Sequence, residues 1–188
     1  MKTLIKFLII LIILLLIIFI LFKVIKVDEI IMKQIYPLKY SEYVEKYSKE
    51  YNIDPYMVYA LIKAESNFNN EAKSSSNAIG LMQIMESTAL ETAKTLELEV
   101  VAEDLYKPEI NIRIGVKYFT DLINKYDNNY ALAIISYNAG IGNVDKWIET
   151  EVIKNDGTDL ENVPFKETNN YVRKILRDYE IYKDLYKN

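Results

Sequence analysis

The chain has no cysteine and no histidine among its 188 residues. The first absence excludes disulfide frameworks, thiol nucleophiles and cysteine-ligated zinc or iron–sulfur centres. The second excludes Ser-His-Asp triads, imidazole bases and every histidine-containing metal site. Proton transfer near neutral pH then falls to a carboxylate, a lysine or a tyrosine. No metal or other cofactor is expected. Glycine and proline are also scarce, at five and four, so each one that occurs punctuates the chain.

The largest feature present is apolar. Residues 7 to 22 are sixteen consecutive apolar positions bracketed by Lys6 and Lys23. With those lysines reaching outward, residues 4–25 are long enough to cross a bilayer. No small-residue cleavage pattern follows, so an uncleaved signal anchor over 1–26 is expected. Its lysines are balanced on the two sides and leave the orientation open. Four of the 23 basic residues lie in 1–26, so the remainder carries 19 basic against 27 acidic residues, a net of −8. That balance speaks against a nucleic-acid partner.

After a juxtamembrane linker at 27–38, the pattern is helical to the end, with no strand signal. Tyr40, Tyr43, Val44, Tyr47 and Tyr51 recur at helical spacing, with Ser41 as candidate cap. Asp54-Pro55 opens a helix to about Phe68, because Asp accepts from orphan amides and Pro is pre-set for the first turn. Residues 69 to 80 read as a loop, and Ser87 as the cap of the next helix. Pro108 starts another, which the Asp-Asn-Asn at 127–129 ends. The segment 131–140 is nearly all apolar and should be the most buried helix. Trp147 reads as core, 150–165 as an excursion, and roughly 167–186 as the last helix. A mainly α domain over 39–188 is therefore expected, preceded by one transmembrane helix.

One residue breaks the apolar stripe of Met57, Val58, Leu61, Ile62 and Phe68. Glu65 lies one turn beyond Leu61 on the same face and is expected to point inward. A carboxylate there is either a buried ion-pair partner or a carboxyl whose pKa burial raises for acid catalysis. The helix alone does not choose.

The ordered motifs choose. Glu65-Ser66, then GLMQIM, then NIRIGVKYF, then SYNAG with VDKW, then PFKETNNYV, together resemble the soluble-type lytic transglycosylases, lysozyme-like enzymes that cleave peptidoglycan. The resemblance covers residues 40–188. It implies a lysozyme-like helical fold with Glu65 as the one acid and base, followed by the signature residue Ser66. It further implies Ser74 near an acetamido group and Gln83 and Met85 lining the glycan groove. Tyr137 and Asn138 would be active-site residues, and Glu167 and Tyr171 would belong to the sugar cleft. Two departures stand out: Glu86 where the family usually has proline, and Asn77 where glycine is common.

The reaction so implied splits the bond between N-acetylmuramic acid and N-acetylglucosamine and closes a 1,6-anhydro ring. The partners would be glycan strands and, through residues 4–25, a bilayer, with the domain outside the cytoplasm. A muramidase of the same fold and a non-catalytic glycan-binding module remain open. The sequence does not say whether cutting is terminal or internal, which cellular process it serves, or what 150–165 does.

Overall fold

Helix starts in this chain follow its few prolines and its Asp and Asn residues. In the computed structural model, which describes residues 2–24 and 27–187, nine α-helices run in chain order. They are α1 (Lys2–Val24), α2 (Val27–Ile35), α3 (Ser41–Glu50), α4 (Pro55–Ser66), α5 (Glu86–Thr95), α6 (Pro108–Lys125), α7 (Tyr130–Ala139), α8 (Ile141–Glu149) and α9 (Lys166–Tyr186). Short 3₁₀ turns cover Ala102–Tyr106 and Leu160–Asn162. Among the described residues there is no strand, only the isolated bridges Lys73–Ile79 and Ile79–Ile84.

The chain divides into two units, 1–37 and 38–188. In the first, α1 contains the one described helix long and apolar enough to cross a membrane, over Leu4–Leu21. Residue 25, the expected end of that span, and Lys26 lie outside the described residues. Residues 27 to 35, read above as linker, are helical. Asp28 and Glu29 occupy the first turn and Lys33 the last, and Lys33 pairs with Glu29 at 2.7 Å. At 1.5 Å per residue, nine helical residues span about 13 Å, under half of their extended length.

In the second unit, Asp54 caps α4 by accepting from the Tyr56 amide at 2.9 Å, with Pro55 behind it. Asn129 caps α7 through the Leu132 amide at 3.1 Å. Two expected caps are absent. Tyr40, in the left-handed region at φ 58°, precedes α3 and Ser41 is already inside it. Met85 precedes α5, which begins at Glu86 rather than at Ser87.

The nearly all-apolar α7 is central: Leu132, Ala133, Ile134, Ile135 and Ser136 are buried, and the helix packs on α6, α8 and α9. The most extensive helix pair is α4 with α9. There Met57, Val58, Leu61 and Ile62 are fully enclosed, each contributing about 1.5–3 kcal/mol by burial. Trp147 is core, 8 % exposed beneath the edge of Phe165. The 150–165 excursion is pinned rather than loose. Asn129 Nδ2 donates to the Asp156 carbonyl at 2.6 Å, Asn169 donates to Leu160 O, and Ile153 and Val163 are buried.

Candidate active site

Glu65 stands in the last turn of α4. Asn67, at φ 50°, caps that helix in the left-handed region, and Phe68 at φ 64° keeps the chain turning there. The stripe that carries Glu65 faces α9, so the carboxyl is half-buried at the floor of a cleft of about 480 Å³. Burial pushes its pKa up to about 7, against the opposing pull of the Tyr171 hydroxyl and the Lys174 charge. Tyr171, on the facing side of α9, donates its hydroxyl to Glu65 Oε1. Burial and the adjacent carboxylate hold that phenol well above its ordinary pKa, so Tyr171 stays a donor at neutral pH.

One wall of the cleft is the loop from Asn67 to Met85. Ser66 fastens it to α4: its Oγ donates to Leu81 O at 2.8 Å. Within the loop, Ser74 Oγ accepts the Ala78 amide at 3.0 Å across a turn whose Asn77 has φ 64°. Asparagine enters that conformation more readily than most residues, so the departure from glycine is tolerated. Ile79 and Ile84 exchange both backbone hydrogen bonds at 3.0 Å. Between them Gly80 sits at φ 77°, where a Cβ would strike Asn111 and the Leu105 carbonyl.

Asn111, from α6, is fully buried and anchors this wall. Its Oδ1 accepts the Met82 amide at 2.8 Å, while its Nδ2 donates to Ile79 O at 2.9 Å and Leu105 O at 2.8 Å. Gln83, also left-handed at φ 48°, spends its amide hydrogens inside the loop: Nε2 donates to Gly80 O at 2.9 Å and Ala72 O at 3.2 Å. Its carbonyl oxygen remains for a ligand. Met85 is 41 % exposed beside it, an adaptable apolar surface.

The other wall joins the end of α7 to the start of α9. Tyr137 donates to Met82 O at 2.7 Å, with its ring against Tyr118 and Phe119. Burial raises its pKa well above the ordinary phenol value, so it is a neutral strut between the two walls. Asn138 is bonded by Thr168, whose Oγ1 donates to Asn138 Oδ1 at 2.6 Å. Glu167 is exposed in the first turn of α9, where the helix dipole favours a carboxylate.

Seven of the nine residues singled out in the sequence line this cleft: Glu65, Ser74, Gln83, Met85, Tyr137, Asn138 and Glu167. Ser66 and Tyr171 are not among the lining residues; one ties the loop to α4 and the other bonds Glu65. Phe165 and Thr168 also line it and were not singled out. Both lie inside the quoted PFKETNNYV, and an exposed aromatic next to a cleft glutamate was the available signal. Among the described residues no group of acids could hold a metal ion.

A helical domain with a lone desolvated carboxyl at the base of an open polar cleft defines the lysozyme-like class of folds. Within that class, residues 42–159 match the family model described as "Transglycosylase SLT domain", and the chain belongs to that family. It is 33 % identical over 154 residues to the soluble lytic murein transglycosylase of Salmonella typhimurium, covering 80 % of this chain and 24 % of that protein. It is 30 % identical over 179 residues to the membrane-bound lytic murein transglycosylase C of Actinobacillus pleuropneumoniae, covering 82 % of this chain and 47 % of that one. Among solved structures it is similar to an inactive glutamate-to-glutamine mutant of the lytic transglycosylase Slt of Pseudomonas aeruginosa. That likeness has TM-score 0.71 and 28 % identity, covering 79 % of this chain and 24 % of that one. The chain thus spans about a quarter of the length of its soluble relatives.

Proposed function

We propose that this chain is a peptidoglycan lytic transglycosylase held at the membrane by α1, with Glu65 as its single general acid and base. The observation that carries the reading is the state of Glu65, half-buried on the cleft floor with a pKa near 7. Such a carboxyl is protonated often enough to donate and acidic enough to accept afterwards. Glu65 gives its proton to the glycosidic oxygen between N-acetylmuramic acid and N-acetylglucosamine. That bond breaks as the muramic acetamido oxygen bonds to the anomeric carbon, a substrate-assisted route that needs no second carboxylate. The Glu65 carboxylate then takes the proton of the sugar's own 6-hydroxyl. The 6-oxygen bonds to the anomeric carbon, the acetamido oxygen leaves, and a 1,6-anhydro end results without water entering.

Tyr171 supports this role by keeping the carboxyl in place through both steps. Ser74, Gln83, Asn138 and Glu167 offer donors and acceptors along the strand, and Met85 an apolar surface. The names of the relatives, soluble and membrane-bound alike, support the substrate class. The Pseudomonas relative, inactive after one glutamate-to-glutamine change, supports dependence on a single carboxyl. An outward-facing domain follows from the substrate's location rather than from the lysine balance. A reporter fused after residue 188 should be accessible only from outside the cell.

The test is to incubate purified peptidoglycan with the detergent-solubilised full chain and with Glu65→Gln, and to read the released muropeptides by mass spectrometry. Anhydro ends that vanish with Glu65→Gln are the expected result. Reducing ends would make the enzyme a muramidase, and binding without release would make it a glycan-binding module.

A further inference from the structure

The amide of Asn138 can present either its oxygen or its nitrogen to a ligand, and the two choices recognise opposite chemistry. A carbonyl oxygen accepts from hydroxyl or amide hydrogens; an NH₂ group donates to oxygens. Asn138 lies in the last turn of α7, exposed and lining the cleft. Its Oδ1 is already taken. Thr168 Oγ1 donates to it at 2.6 Å from the first turn of α9, and Thr168 is only 2 % exposed. Asn138 Nδ2 makes no hydrogen bond to any described residue, so both its hydrogens are free for the cleft.

We propose that Thr168 is a positioning residue: it turns the Asn138 oxygen inward and fixes the Nδ2 group as a donor to an acceptor oxygen of the bound sugar. The inference rests on the glycan reading above and adds to it the polarity of one contact. Glu167, next in the chain, presents the opposite polarity to the same cleft. The Thr168 hydroxyl holds the amide this way round by donating to Oδ1, which no apolar side chain can do. A methyl there would leave Oδ1 unsatisfied, and the amide would rotate to seek solvent. Thr168 is also three residues before Tyr171, on the same face of α9. One helix face therefore orients the ligand donor and the acid together.

The test measures affinity of the full chain for a tetrasaccharide of alternating N-acetylglucosamine and N-acetylmuramic acid, with Glu65→Gln present throughout to prevent turnover. Thr168→Val is expected to weaken binding about tenfold, the worth of one well-placed hydrogen bond. Thr168→Ser, which keeps the donor, should stay within about threefold. In an Asn138→Ala background, Thr168→Val should add nothing, because its effect passes through Asn138. Asn138→Asp keeps the acceptor for Thr168 but removes the donor, and should lose at least as much as Thr168→Val without disturbing the packing.

Equal losses from Thr168→Val with and without Asn138 would overturn the proposal, as would a serine variant as weak as the valine one. Tetrasaccharide binding indifferent to Thr168→Val and to Asn138→Asp would overturn it while leaving the glycan reading intact. Absence of any tetrasaccharide binding by the Glu65→Gln chain would overturn both.

Discussion

The two walls of the cleft are built by different means. The loop wall, from Asn67 to Met85, is held by backbone: left-handed residues at Asn67, Phe68, Asn77, Gly80 and Gln83, with one buried side chain, Asn111, satisfying three main-chain groups. The helix wall is held by side chains meeting side chains, Tyr171 on Glu65 and Thr168 on Asn138. The first kind of wall fails by unfolding. The second fails by losing function while the fold persists.

Four substitutions would break or sharpen that contrast. The largest effect should come from Asn111→Leu, which strands the Met82 amide and the Leu105 carbonyl in the interior and leaves the Ile79 carbonyl with the Ile84 amide alone. At about 1–3 kcal/mol for each of the two unsatisfied groups, a loss of roughly 4 kcal/mol is expected in denaturant titration. A chain that melts like the parent would show that the loop wall does not depend on this anchor.

Next in size is Glu65→Gln, with the opposite sign. A glutamate with a folded pKa near 7, above its ordinary value of 4.5, binds more protons folded than unfolded between those pH values. The stability it permits therefore falls as pH rises from about 4.5 to about 7 and stays low above that. Removing the charge should raise the unfolding free energy at pH 8, by roughly 3 kcal/mol at most, and have little effect at pH 4. Equal effects at both pH values would mean that the carboxyl is not desolvated as described.

Tyr171→Phe should lower turnover about tenfold with only a small change in melting. Because the Tyr171 hydrogen bond lowers the Glu65 pKa, its loss should move the alkaline limb of the pH–rate profile upward. A downward shift would reverse the assigned role. Least of all, Asn77→Gly should change stability by a few tenths of a kcal/mol and leave cleavage as it was, since the turn needs the φ of 64° and not the asparagine side chain. A large loss of cleavage would make Asn77 a ligand contact.

The backbone-built wall was also the more legible in sequence, in part. Asn77 stood out as a place where glycine is common, and Asp54-Pro55, Pro108 and the Asp-Asn-Asn break placed helix ends because each acts within a few residues. The anchor of that wall did not show. Asn111 falls on the buried face of α6 beside Ile112 and Ile114, and a polar residue there gains meaning only from a loop about 30 residues earlier. Ser41 and Ser87 read as caps by residue type, yet Tyr40 and Met85 stand at those positions, the latter with its side chain in the cleft. On the helix wall, Glu65 announced itself by breaking an apolar stripe. Thr168, flanked by more conspicuous residues, gave no periodic signal. The helical character of 27–35 was missed because nine residues between an apolar span and Pro37 carry too little pattern to separate helix from linker.

Tyr171 lies 106 positions beyond Glu65, whereas the Asn111 contacts close within about 30. The longer closure costs more chain entropy. Without α9 packed on α4, Glu65 would be a hydrated glutamate of ordinary acidity. The raised pKa of Glu65 depends on α9 lying against α4, so a chain cut short before α9 would keep the proposed acid without the burial that suits it to the role.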